Sequence, residues 1–291
     1  MKSLAPKRLA RAAVRSARTW LKEPPQDPIT AERERFKRFA YGKLNALLIE
    51  IMSKTDGTYR ANYTWGLLHA AYLAKAVGLQ KMSAIEFGVA GGLGLLSMEK
   101  SAAHVEKALG VEIEVHGFDT GRGLPKPIDY RDLPNLYEES TYMMDRPALE
   151  RRLQRAKLWI GLISETLPSF MTSSPAPVGF AAIDVDLYSS TVDVLKLFEA
   201  DPSLLLPRVH CYFDDIMGAT CAEFNGERLA IAEFNQANSL RKLSPIYGLR
   251  YFVPRRMSDD IWTEMTYLAH ILDHPLYGVD DGMVTSKQER L

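Results

Sequence analysis

Cysteine is scarce in this chain. Cys211 and Cys221 are the two among 291 residues. They fit no zinc or redox spacing, so a reducing, cytoplasmic setting is the expectation. Long apolar runs are missing as well: none reaches the ~18 residues that a membrane-spanning helix needs. The sequence shows no internal repeat and no low-complexity tract. Charge of one sign is also missing, with 36 basic and 36 acidic residues. The balance is uneven along the chain: residues 1–22 carry seven Lys or Arg and no acid. The remainder therefore holds 29 basic and 36 acidic side chains, a balance of −7. A nucleic-acid binder normally carries its basic charge on the folded body, so that class of partner is excluded here.

What is present is ordinary globular composition, 46% hydrophobic and 25% charged. That suffices for one large domain with appendages or two small ones. Residues 1–30 read as a basic arm. Arg8, Arg11, Arg15 and Arg18 recur at helical spacing, opposite Leu9, Ala13, Ala17 and Trp20, until Pro24, Pro25 and Pro28 break the pattern. Two readings stand: a solvated arm, or a helix lying on an anionic membrane surface through residues 1–22. The apolar face is mostly alanine, which anchors weakly.

Residues 31–80 read as a helical extension, with helices over 31–54 and 59–79 and Gly78 suited to cap the second. From residue 82 short apolar runs alternate with helical stretches: "AIEFGV", "EIEVHGF", "KLWIG", "VGFAAIDV" and "RVHCYFDD". Their spacing of roughly 25 to 40 residues is that of βα units in a parallel sheet. A last helix near "ERLAIAEFNQAN" precedes "GLRYFV" and "EMTYLAHIL", which read as a closing strand pair.

"AIEFGVAGGLGLLSME" is a strand, a Gly-rich turn and a helix. Gly88, Gly91 and Gly92 clear side chains from a bend where a ligand can approach helix N-terminal amides. There is no Gly-Lys-Ser/Thr of a phosphate loop. Glu86 stands two residues before the first glycine; it would repel a pyrophosphate and suits a cationic ligand. This order, Glu86, Gly88, Ala90, Gly92, resembles motif I of the class I S-adenosylmethionine-dependent methyltransferases. The next strand ends in Asp119, where an acid can accept hydrogen bonds from both ribose hydroxyls.

"AAIDVDLYSST" adds two carboxylates, Asp184 and Asp186, one residue apart. Side chains in a strand alternate faces, so the two are expected to point the same way. If "RVHCYFDD" is the neighbouring parallel strand, Asp214 and Asp215 end beside them. Four carboxylates at one cleft mouth repel without a cation, and hard oxygen ligands favour Mg²⁺, with Ca²⁺ or Mn²⁺ as options.

"IDVDLYSST" followed by "FDD", with "EFGVAGGLG", "GFDTGRGLP" and "ETLP", resembles the macrocin-type sugar O-methyltransferases over about residues 82–240. The resemblance implies an α/β fold with a doubly wound, mostly parallel seven-stranded sheet over 81–275, followed by a tail over 276–291. It implies S-adenosylmethionine at Glu86, Gly88, Ala90, Gly91, Gly92, Asp119 and Ser164. It implies Mg²⁺ at Asp184, Asp214 and Asp215, with Asp186 as the general base. The expected activity is O-methylation of a hydroxyl on a sugar, glycan or natural-product glycoside. A homo-oligomer is left open. The chain departs from the family in having Ile216 where an aromatic usually follows the Asp pair, and in lacking a Gly-Gly-rich turn before the fifth strand.

Residues 120–147, rich in Pro, Tyr and Asp, read as a lid that excludes water. His116, His210, Tyr63, Trp65 and Tyr72 read as packing residues. Two rivals remain at this level. One is a metal-dependent glycosyltransferase using Asp184-Val185-Asp186 as a D-x-D motif. The other is a non-catalytic methyltransferase-like binding protein.

Overall fold

A computed structural model describes residues 41–54 and 59–279. The basic arm, residues 31–40 of the helical extension and residues 280–291 of the tail lie outside the described residues, and with them the membrane-surface reading of residues 1–22. Among the described residues no helix is long and apolar enough to cross a membrane.

Two helices open the described chain, α1 (Tyr41–Ser53) and α2 (Ala61–Ala76). A βα series follows: β1 (Lys81–Phe87), α3 (Leu93–Leu109), β2 (Glu112–Asp119), α4 (Arg146–Glu150), β3 (Lys157–Ile160), α5 (Ile163–Thr172), β4 (Val178–Ile183), α6 (Tyr188–Leu195), β5 (Leu205–Phe213) and α7 (Gly226–Ala237). Strands β6 (Arg241–Pro245) and β7 (Thr266–Ile271) close it. The seven strands form one sheet in the order β3-β2-β1-β4-β5-β7-β6, with β7 antiparallel to both neighbours. Strands β1 and β4 are buried almost throughout. They read as continuous apolar runs because helices cover both faces of the sheet.

Helix α2 is buried continuously from Tyr63 to Ala71. It has no polar face because it is covered all round. It lies against β1, β4 and β5. At Gly66 the approach is so close that a Cβ would overlap the Phe180 ring on β4. Gly78, at φ +86°, ends the helix where only a glycine is unstrained.

The closing pair differs from the expectation. "EMTYLAHIL" contains β7, but "GLRYFV" is a 3-10 turn at Leu249–Tyr251, opened by Gly248 at φ +74°. The partner of β7 is "RKLSP". That strand is at the sheet edge, so it is short and carries little apolar signal; Pro245 at its end needs no ladder donor.

Candidate active site

The strand order reverses between β1 and β4, since β2 and β3 extend to one side and β5 to the other. In open α/β sheets a crevice forms outside the carboxyl ends of the strands at such a point. Here it is a cavity of about 550 Å³, within the usual range for a small-molecule site. The Gly-rich turn, Asp119, Ser164 and all four aspartates line it.

The turn begins with Gly88 at φ +84° and ends with Gly92 at φ +81°, the residue before α3. Ala90 shares the left-handed region at φ 45° and carries a side-chain penalty there. Gly94, on the first turn of α3, leaves room for Glu86, because a Cβ at Gly94 would overlap Glu86 Oε1. Glu86 is buried. Its Oε1 accepts a 2.7 Å bond from the Tyr63 hydroxyl, while Oε2 has no partner among the described residues. Burial drives its pKa up to about 8, although the Tyr63 bond and Arg60 pull the other way.

Asp119 does more than line the cavity. Its Oδ2 accepts from the backbone N–H groups of Val89 (3.0 Å) and Ala90 (2.9 Å), and Oδ1 accepts from Gly121 N–H (2.6 Å). A carboxylate has about four lone-pair sites. Three are taken, so the arrangement leaves room for one ribose hydroxyl rather than the expected two. Asp119 thus shapes the Gly-rich turn as well as lining the cavity.

The D-x-D pair is not held by strand alternation. Strand β4 stops at Ile183, and both aspartates lie beyond it. Asp186 adopts φ 60°, and Leu187 N–H donates to Val185 O at 2.5 Å, closing a tight turn of γ type around it. Left-handed backbone at a non-glycine residue costs about 1–3 kcal/mol and clusters at functional sites. Single carboxylate oxygens of Asp184, Asp186 and Asp215 all lie within 4.8 Å of one another. Asp214, expected as the third ligand, stands outside that group. It lines the same cavity, but its Oδ1 accepts a 2.7 Å bond from the Tyr212 hydroxyl. Burial, then the charges of Asp214 and Asp215, raise Asp184 to about 7. Asp186 is likewise pushed up, by burial and then by Asp215.

Hard oxygen donors, mutual repulsion and few counter-charges are what a divalent cation relieves, so these residues fit one. The glycine-cleared turn and the unpartnered Glu86 oxygen fit a ligand with a cationic end.

Several contributors were hidden in the sequence. Glu227, on the first turn of α7, is fully buried, and its Oε2 accepts from Asp215 N–H at 3.1 Å. The sequence placed it at a helix start and said nothing of what lay behind it. Tyr63 is core, as expected of a helix-packing residue, yet its hydroxyl reaches Glu86. The stretch 120–147 lies across the cavity as an irregular strap. Asp132 anchors it: Oδ1 accepts from Ser189 N–H (2.8 Å), and Oδ2 accepts from Ile128 N–H (2.8 Å) and Ser189 Oγ (3.1 Å). Tyr137 on the strap donates to Asp215 Oδ1 at 2.9 Å, and Tyr142, at φ 63°, lines the cavity. His116 and His210 are buried, and burial lowers both pKa values, to about 4 and about 3.

A doubly wound, mostly parallel sheet of this order, with an antiparallel β7 inserted between β5 and β6, is a Rossmann-like α/β fold. No protein-family model matches the chain, and no curated protein does. Among solved structures it is similar to the O-methyltransferase NovP, at 14% identity over 72% of this chain and 79% of that one, with a TM-score of 0.49. It is also similar to the calicheamicin methyltransferase CalS11, at 21% identity over 77% and 91%, with a TM-score of 0.46. At such values the fold rests on the strand order, and any activity rests on the site.

Proposed function

We propose that the protein is an S-adenosylmethionine-dependent, Mg²⁺-dependent O-methyltransferase acting on a hydroxyl of a sugar, glycan or natural-product glycoside. One observation carries the reading: a single cavity is lined by the Gly-rich turn, Asp119 and the acidic ends of β4 and β5.

S-adenosylmethionine supplies the electrophilic methyl of its sulfonium. Gly88, Gly92 and the backbone amides at the start of α3 bind it, and Asp119 takes one ribose hydroxyl. Asp184 and Asp215, with Asp214 beside them, would hold a divalent cation, which when bound would supply Lewis-acid stabilisation of negative charge on the acceptor oxygen. Asp186 accepts the proton from the acceptor hydroxyl at a carboxylate oxygen. The strap, held by Asp132 and Tyr137, excludes water while acceptor and donor are aligned.

The test is transfer of a labelled methyl group from S-adenosylmethionine to a panel of glycosides, read by intact mass, with Mg²⁺ or EDTA. Label on a glycoside hydroxyl that depends on Mg²⁺ supports the reading. Transfer undiminished in EDTA refutes the cation's role.

A further inference from the structure

Asp215 sits one residue past the last ladder bond between β5 and β4. That bond runs from Asp214 N–H to Ile183 O at 2.9 Å. One residue further, Asp215 N–H donates to a side chain instead, Glu227 Oε2, at 3.1 Å. The other polar atoms of Asp215 are engaged as well. Oδ2 accepts from Asp186 N–H at 3.1 Å, Oδ1 from the Tyr137 hydroxyl at 2.9 Å, and the carbonyl oxygen from Cys221 Sγ at 3.4 Å. One residue thus joins the end of β5, the turn that carries Asp186, the strap and α7.

The start of α7 places Glu227 for this. Asn225 Oδ1 accepts from Ala222 N–H at 2.8 Å, and Gly226 turns the chain at φ +55°. Glu227 and Arg228 then take consecutive backbone groups. Glu227 accepts from Asp215 N–H, and Arg228 Nη1 donates to Ile216 O at 3.4 Å. Ile216 itself is buried. The first turn of α7 therefore clasps the backbone that carries the Asp215 carboxylate. Glu227 is 0% exposed, and its Oε1 has no partner among the described residues. Burying a carboxyl with an unpaired oxygen is unfavourable, and a well-packed apolar side chain often serves stability as well or better. What a carboxylate adds is a strong bond to an N–H, made from the end of the helix where negative charge is favoured.

We propose that Glu227 is a positioning residue for the cation site: it fixes the Asp215 backbone so that the Asp215 carboxylate stays within the close group of oxygens. Through the bond from Asp186 N–H to Asp215 Oδ2 it also steadies the turn of the proton acceptor. Groups behind a metal ligand orient it in this way. The role depends on reach to one N–H and not on an added charge. This rests on the cation reading above.

Mn²⁺ titration of the full chain, followed by electron paramagnetic resonance, tests it with a pair of variants. Glu227→Gln keeps the length and an acceptor oxygen but loses the carboxylate. Glu227→Asp keeps the carboxylate but is one methylene shorter. In Glu227→Asp the dissociation constant for Mn²⁺ should rise about 10- to 100-fold, the usual loss for a group behind a metal ligand, and the spectrum of the bound ion should change. In Glu227→Gln it should rise less than about threefold. Near-UV circular dichroism in EDTA should be unchanged in both, which separates positioning from folding. Equal losses, a larger loss in Glu227→Gln, or no loss in either overturns the assignment. So does loss of the near-UV signal in Glu227→Asp, which would make Glu227 a residue of the fold. If the wild-type chain binds no Mn²⁺, the cation reading itself fails and the assignment goes with it.

Discussion

Gly88 and Asp184 are in contact, backbone to backbone: a Cβ placed on Gly88 would overlap the carbonyl oxygen of Asp184. The end of β1 and the end of β4 are thus fitted together at the switch point. Asp184 N–H donates to Phe87 O at 2.9 Å and continues the ladder to that contact. The Gly-rich turn and the acidic cluster are two sides of one junction.

Gly88→Ala should damage both sides at once. Overpacking typically costs ~1–3 kcal/mol, and a side chain at φ +84° adds ~1–2 kcal/mol. Gly91 is the control, because a Cβ there meets nothing within 4 Å. Gly91→Ala should stay within about ±0.5 kcal/mol of wild type. Urea denaturation of both variants checks this, and equal stabilities would show that the junction is not as tight as described.

Asp119→Ala should lower stability as well as affinity. It strands the amides of buried Val89 and of half-buried Ala90 and Gly121, a fully buried unpaired donor costing ~1–3 kcal/mol and a half-buried one less. It also removes the acceptor proposed for a ribose hydroxyl. Melting curves and S-adenosylhomocysteine titration are to be read together. A loss of affinity with no change in melting temperature would make Asp119 a ligand residue alone.

The aspartates should separate by role. Asp184→Asn and Asp215→Asn should weaken Mn²⁺ binding more than Asp214→Asn, because Asp214 stands outside the close group of oxygens. Asp186→Asn should still bind the cation yet stay ~10²–10⁴-fold slow in excess Mg²⁺, the usual loss for a general base. Mn²⁺ titration followed by electron paramagnetic resonance reads the first, and initial rates across a Mg²⁺ series read the second. Should Asp186→Asn lose the cation as Asp184→Asn does, its role is that of a ligand.

Burial of neutral His116 and His210 makes stability rise with pH up to about 6.5, so the effect of the buried acids is read above it: from there to about pH 8 stability of the cation-free chain should fall. Glu86 moves from an ordinary 4.5 to about 8 on folding, and Asp184 from 3.8 to about 7, with burial first among the causes of both. Between each pair of values the native chain holds a proton that the unfolded chain has released, so rising pH favours unfolding. Their contribution is complete below the unfolded values and gone above the folded ones. Melting temperatures in EDTA across this range test it. Glu86→Gln should flatten the part of the fall nearest pH 8. Stability that climbs with pH through this window would refute the burial argument.

By itself the sequence determined the alternation of strands and helices from residue 82, the Gly-rich turn and the acids beyond the fourth and fifth strands. These signals are local: apolar runs of strand length, glycines where φ turns positive, and charges at strand ends. The sheet edge escaped it, because "RKLSP" buries too little to show a pattern, whereas "GLRYFV" buries Leu249 and Val253 without being a strand. Only the tertiary structure decided which acids converge. A tight turn, not strand alternation, brings Asp186 towards Asp184 and Asp215, and the Tyr212 hydroxyl engages Asp214. Only packing of α2 against the sheet could bring Arg60 and Tyr63 to Glu86, and only the fold of α7 could set Glu227 behind Asp215. Such contacts join residues far apart in the chain, and no periodicity or spacing encodes them.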